Sequence, residues 1–200
     1  MKKVAVVGVL AIVLGMVMIS VFSSSSNYID TVSQEREELL AFMQRNFDSP
    51  FDAKNPPQQL YFYEVDEKYR VEIKVVLLDG DDYVQIQQTS GKSPKMYKKV
   101  ARLEFVLHKK ACVLFLYQNE ENPSDLLLPF GDETNGKSTY DTGRYLHVKP
   151  RVLQEKKYLL DFNMATNPYC AYNDEYICPI PPRENVLGIA IPAGEKKYHR

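Results

Sequence analysis

The stretch Val71–Gln87, "VEIKVVLLDGDDYVQIQ", decides the fold class. Val71, Ile73, Val75 and Leu77 alternate with Glu72, Lys74 and Val76; Asp79-Gly80-Asp81 turns the chain, and Val84 and Ile86 then alternate with Tyr83, Gln85 and Gln87. A period of two places alternate side chains on opposite faces of a strand, so the stretch predicts a β-hairpin. A second pair is expected from Ala101–His108 and Ala111–Tyr117, joined at Lys109-Lys110 without the glycine that a short turn favours. Shorter strands are expected over Leu60–Val65, Met96–Val100, Asp125–Leu128, Tyr145–Val148, Tyr158–Phe162 and Val186–Ile191. Many short strands with one helical segment predict a mainly β (α+β) chain, an antiparallel β roll or barrel-like sheet.

The one helix is expected upstream. Thr31-Val32-Ser33-Gln34 fits a capping box, and Leu39, Leu40, Met43 and Phe47 recur at helical spacing before Asp48-Ser49-Pro50 ends the run. Further toward the N-terminus, Lys2 and Lys3 precede Val4–Phe22, which carries no charge. At about 1.5 Å of rise per residue the segment reaches about 28 Å, close to the hydrocarbon thickness of a bilayer. Residues 1–22 are therefore expected to be a single-pass membrane anchor through residues 4–22, with the lysines cytoplasmic and the C-terminal domain extracytoplasmic. The alternative is a signal peptide cut near Val21-Phe22-Ser23, which would release a secreted protein. Residues 23–30, opening on four serines, are expected to be a flexible spacer, and residues 31–200 one β-rich domain.

The 25 basic residues nearly balance the 26 acidic ones, which leaves no field to draw nucleic acid to the surface. No motif calls for a cofactor.

Asp161–Asn185, "DFNMATNPYCAYNDEYICPIPPREN", concentrates the candidate chemistry. Pro168, Pro179, Pro181 and Pro182 restrain the backbone, predicting a rigid non-helical strap. Asn163, Asn167, Asn173 and Asn185 are expected to close Asx-turns on their own backbone. In an oxidising compartment Cys170 and Cys178 are a disulfide candidate. The rival readings are two ligands of a soft-metal site, which lacks a nearby histidine and the usual spacing, and a nucleophilic thiol with a base among His108, His147 and His199. Cys112, inside an apolar strand, reads as a small buried hydrophobe. Asp132–Gly136 and Asp79–Asp82 lack the spacing of a calcium loop and read as turns, so no metal site is expected.

Asp132, Tyr140, Arg144, Asp161, Asn163, Asn167, Tyr172 and Glu195 are the candidate ligand-binding residues, a polar set that could converge beside the strap. The competing reading is an internal ion pair of Arg144 with Asp161 or Glu195 at the strap's base. Three functions follow from one set of residues. The first is a module binding a small molecule or an envelope partner. The second is an extracytoplasmic hydrolase with Asp161 or Glu195 as general base and Arg144 stabilising negative charge. The third is a structural scaffold.

"LLLPFGDETNGKSTYDTGRYLHV" (126–148), "LDFNMATNPYCAYNDEYICPIPPREN" (160–185) and "IAIPAGEK" (189–196) together resemble the bacterial and archaeal family called domain of unknown function 1684. Ser49-Pro50-Phe51 fits the family's serine-proline segment, and the resemblance runs from about the N-terminal helix to Lys196. Val100-Ala101 departs from it, where the family pattern leads one to expect a glycine. The resemblance implies a secreted or membrane-anchored β-rich domain and carries over no catalytic residue.

Overall fold

The computed structural model describes residues 26–120 and 122–199, and the chain forms two compact units, residues 1–39 and 40–200. The anchor expected over residues 4–22 lies outside the described residues. Among the described residues no helix is long and apolar enough to cross a membrane. Helix α1 occupies residues 26–45, so the described part of the expected spacer is helical. The capping box is not used. Thr31 lies inside the helix, where its hydroxyl donates to the Asn27 carbonyl at 2.8 Å, the back-bond that threonine makes in mid-helix. Phe47, expected on the buried stripe, falls past the helix end and is fully exposed, while Val32 and Met43 are buried.

The second unit is built on a curled, wholly antiparallel sheet of seven strands: β1 (Arg70–Leu77), β2 (Tyr83–Ile86), β3 (Lys95–Leu107), β4 (Lys110–Asn119), β5 (Leu126–Phe130), β6 (Arg144–Leu146) and β7 (Lys157–Asp161). Their order is β6-β5-β4-β3-β1-β7, with β2 paired to β3. The first expected hairpin does not form. β1 and β2 both pair with the long β3, β2 along Lys95–Lys98 and β1 along Ala101–Glu104. Two strands that each lay an alternating face against one longer neighbour satisfy the same pattern as a hairpin, and the pattern cannot distinguish them. The expected strands Met96–Val100 and Ala101–His108 are the two halves of β3.

A register shift between Lys99 and Ala101 joins those halves, leaving Val100 as the extra residue of a β-bulge. This is where glycine was expected, and the local feature is a bulge, not a turn. The bulge exchanges the faces of β3. Ala101, Leu103, Phe105 and Leu107 enter the main core, whereas Tyr97 joins Ile86 and Tyr117 in a smaller cluster. The β3–β4 hairpin does form, and His108 and Lys109 take φ of 51° and 63° to close its turn without glycine.

The main core lies between the sheet and the C-terminal third of the chain. Ile73, Leu103, Leu114, Leu116, Leu128 and Leu160 from the strands meet Phe162, Ala165, Leu187, Ile189, Ile191 and Ala193 from the strap and the segment after it. The expected strand Val186–Ile191 is irregular apart from a single bridge of Val186 to Gly131, and Leu60–Val65 contributes only the Phe62–Glu195 bridge. A segment without ladders must satisfy its backbone in other ways, and the asparagines supply one. Asn185 accepts from the Phe115 N–H at 2.8 Å and donates to the Phe115 and Pro129 carbonyls at 2.9 and 2.7 Å, standing in for a peptide between β4 and β5. Asn163 does the same for Asp66, accepting its N–H at 3.0 Å and donating to its carbonyl at 2.9 Å. Asn173 makes the Asx-turn expected of it, accepting from the Glu175 N–H at 3.0 Å, whereas Asn163, Asn167 and Asn185 bind backbone far away in the chain.

Candidate functional site

The polar set converges in part. Arg144, delivered by β6, is fully buried and holds the chain's end like a clamp. One terminal nitrogen, Nη2, donates to Asp132 Oδ2 at 2.8 Å and to the Ile191 carbonyl at 2.9 Å; the other, Nη1, donates to the carbonyls of Ala193 and, at 3.2 Å, Glu195. Its guanidinium also lies 5.1 Å from the centre of the Phe130 ring. The buried ion pair is thus with Asp132, not with Asp161 or the Glu195 side chain. Asp132 Oδ1 in turn accepts from Thr134 Oγ1 at 2.6 Å, the Thr134 N–H at 2.8 Å and the Ile191 N–H at 3.2 Å. Burial lowers the guanidinium's pKa and the Asp132 charge opposes that.

Glu195 is fully buried beside the clamp. The Tyr172 hydroxyl sits 2.6 and 2.7 Å from its two oxygens, and the Asn167 N–H donates to Oε2 at 2.8 Å. Burial pushes the Glu195 carboxyl up to about 7, against the pull of those two donors. Asn167 donates to the Lys196 carbonyl at 2.9 Å, while its own buried Oδ1 has no hydrogen-bond partner among the described residues. The turn that brings Glu195 here requires glycine. Gly194 has φ of 72°, and a Cβ on it would stand 2.6 Å from the Phe162 carbonyl oxygen and 2.7 Å from that of Ala165. Gly143, at φ of 113°, is held as closely, with the Phe130 carbonyl oxygen and Pro181 both at 2.6 Å from such a Cβ.

Asp161 and Asn163 stand apart from the clamp: Asp161 accepts from the Asn163 N–H at 2.9 Å and caps the turn that follows β7. Tyr140 reaches the cysteines instead, its hydroxyl 3.7 Å from Cys170 Sγ. Cys170 and Cys178 are free, buried thiols, so the disulfide expected from compartment is not formed in this structure. They are nevertheless adjacent, Cys178 Sγ accepting from the Cys170 N–H at 3.2 Å. Hydrogen bonding from the Cys178 thiol pulls Cys170 down to about 7 and pushes Cys178 up. Among the described residues no three of His, Cys, Asp and Glu gather as a metal shell. Asn135-Gly136 closes a turn, with Gly136 at φ of 73°.

Two surface clefts flank this interior. One, of about 360 Å³, runs along β5 and β6 with Tyr145 and His147 in its wall. The other, of about 430 Å³, is lined by the rings of Phe51, Tyr61, Tyr172 and Tyr198. Asn55, Pro56, Pro57, Gln58, Gln59 and His199 complete its lining. Phe51, Tyr172 and Tyr198 pack on one another with centroids 5.2, 5.3 and 5.5 Å apart. Asp132, Arg144, Asp161 and Glu195 line neither cleft. Tyr172 joins the clamp to the second of these clefts, its hydroxyl on Glu195 and its ring in the lining. Sequence reasoning missed the rest of this cleft. The signal available was the run Asn55–Gln59 followed by three aromatic residues in four, Tyr61, Phe62 and Tyr63 after Leu60, but nothing local ties it to Tyr198.

These features define a β-domain whose sheet is closed by its own C-terminal strap, locked by a buried Arg–Asp pair and a Tyr–Glu contact. The chain belongs to the family described as protein of unknown function (DUF1684), which matches residues 58–196. The helix and Ser49-Pro50-Phe51 lie outside the matched residues, although Asn173 and Tyr176 bind the Pro50 and Ser49 carbonyls at 3.1 and 3.3 Å. The solution structure of an uncharacterised protein from gene locus rrnAC0354 of Haloarcula marismortui is similar to this chain, with 30% identity and a TM-score of 0.63. The similarity covers 87% of this chain and 96% of that one. No protein of curated description matches.

Proposed function

We propose that the second unit is a small-molecule-binding module whose ligand enters the cleft lined by residues 55–59 and the rings of Tyr61, Tyr172 and Tyr198. One observation carries this reading: Asp132, Arg144 and Glu195 are buried and hydrogen-bonded to backbone, and of the set Tyr172 lines one of the two clefts described. A general base must come within hydrogen-bond reach of substrate, or one water away. Glu195 and Arg144 are enclosed and Asp161 is committed to a turn, so the hydrolase alternative has less support; the scaffold alternative has no observation of its own. The apolar run 4–22 supports tethering of this module to a membrane, with the cleft presented outside the cytoplasm.

The test is an NMR screen of the full-length protein against a small-molecule fragment library. Shifts are expected to cluster on Phe51, Tyr61, Tyr172 and Tyr198. A screen whose hits all map elsewhere, or that yields none, overturns the reading.

A further inference from the structure

We infer that the ligand of this cleft is an uncharged saccharide, a proposal that rests on the reading of the cleft as the binding face. Among the described residues the lining contains no lysine, arginine, aspartate or glutamate. An anion held there would lack the charge-assisted donors that anion sites use, and a metal ion or ammonium would lack a carboxylate. His199 supplies the one imidazole among the described lining residues.

The rings argue further against an organic cation. An aromatic cage holds its guest within about 6 Å of several ring faces, which requires a gap among them. Here Phe51, Tyr172 and Tyr198 close on one another at 5.2–5.5 Å and leave none. Tyr61 is different: it is 40% exposed, and the Gln59 amide donates to its hydroxyl at 2.7 Å, which holds the ring in place. A fixed, exposed ring with a negative face suits the weakly positive C–H face of a pyranose.

Amides in the same lining supply the complementary half. Asn55 and Gln58 each carry donors and an acceptor, as the hydroxyls of a sugar do, while the Gln59 amide is engaged with Tyr61. A wholly apolar ligand would strip water from those amides and return no hydrogen bond. Pro56 and Pro57 restrain the loop before any ligand arrives, which lowers the ordering cost of binding. The volume, about 430 Å³, is within the range of small-ligand sites and suits one or two sugar rings.

The full-length protein is titrated, by calorimetry and by NMR, with neutral oligosaccharides built from hexose and from N-acetylhexosamine units. Tetramethylammonium and inorganic phosphate are the charged comparators. At least one saccharide series is expected to bind, and Tyr61→Ala is expected to weaken it roughly tenfold, about 1.4 kcal/mol. Gln58→Ala is expected to weaken it several-fold, and both positions are exposed, so the melting temperature stays unchanged. Saccharide binding indifferent to both substitutions overturns the assignment. Tetramethylammonium or phosphate binding that depends on Tyr61, with no saccharide binding, overturns the ligand class and leaves the cleft reading standing. Silence from every saccharide overturns the inference, while the fragment screen decides separately whether the cleft binds anything.

Discussion

Glu195→Gln is expected to remove a specific pH dependence of stability. Glu195 is enclosed, its carboxyl raised from an ordinary 4.5 to about 7, chiefly by burial. A carboxyl with a raised folded-state pKa stabilises the fold fully below its unfolded value, and the contribution is lost as pH rises through the folded value. The window therefore runs from about pH 4.5 to about pH 7, with stability falling as pH increases. At about 1.4 kcal/mol per pH unit, ionising this group inside the fold costs about 3 kcal/mol. The substituted amide would keep an acceptor for the Asn167 N–H and a donor for the Tyr172 oxygen, and it carries no charge at any pH. Urea unfolding of both proteins between pH 5 and pH 8 measures the difference. Near pH 5 the variant is expected to lead by less than about 1 kcal/mol; at pH 8 it is expected to be more stable by about 3 kcal/mol. Other groups titrate as well. Asp66 and Glu104, held low by Lys68 and Lys74, act at lower pH. These are common to both proteins and cancel in the difference. Parallel pH profiles would refute the assignment of a protonated Glu195 to the folded state at low pH.

Arg144→Met leaves the Asp132 carboxylate buried without its cation and strands the Ile191, Ala193 and Glu195 carbonyls, so it is expected to cost about 3–5 kcal/mol in urea unfolding. Adding Asp132→Asn is expected to restore part of that loss, because it removes the uncompensated charge. Gly194→Ala places a methyl against two carbonyl oxygens at a positive φ and is expected to destabilise by about 2 kcal/mol or more, read by thermal melting. Mild treatment of the native protein with a disulfide oxidant is expected to join Cys170 to Cys178 and to leave Cys112 reduced, as checked by peptide mapping without reductant; a product linking Cys112 would contradict the adjacency seen here.

Strand propensity was legible because it is local. Alternation along Val71–Leu77 and Ala111–Tyr117 follows from each strand having one buried face, and β1 and β4 form where it occurs. The strap was legible for the same reason, since its prolines exclude a ladder whatever surrounds them. Pairing was not. β1 lies between β3 and β7 because the whole sheet must curl around the strap, and the bulge at Val100 that turns Tyr97 out of the main core adds one residue without altering composition.

The candidate site divides along the same line. Arg144, Asp132 and Glu195 stood out as charged residues in apolar, proline-rich surroundings, where a charge must find a partner. Which partner it finds depends on distances across elements far apart in the chain, and Asp132 took the place expected of Asp161 or Glu195. By itself the amino-acid order determined an antiparallel β-domain, a proline-rich strap outside its ladders and the polar residues that lock it. The tertiary structure alone decided that the lock is sealed and that Tyr172 opens onto a cleft built with residues 51–61 and 198–199. Burial is a collective property of the packed chain, and no local window of sequence carries it.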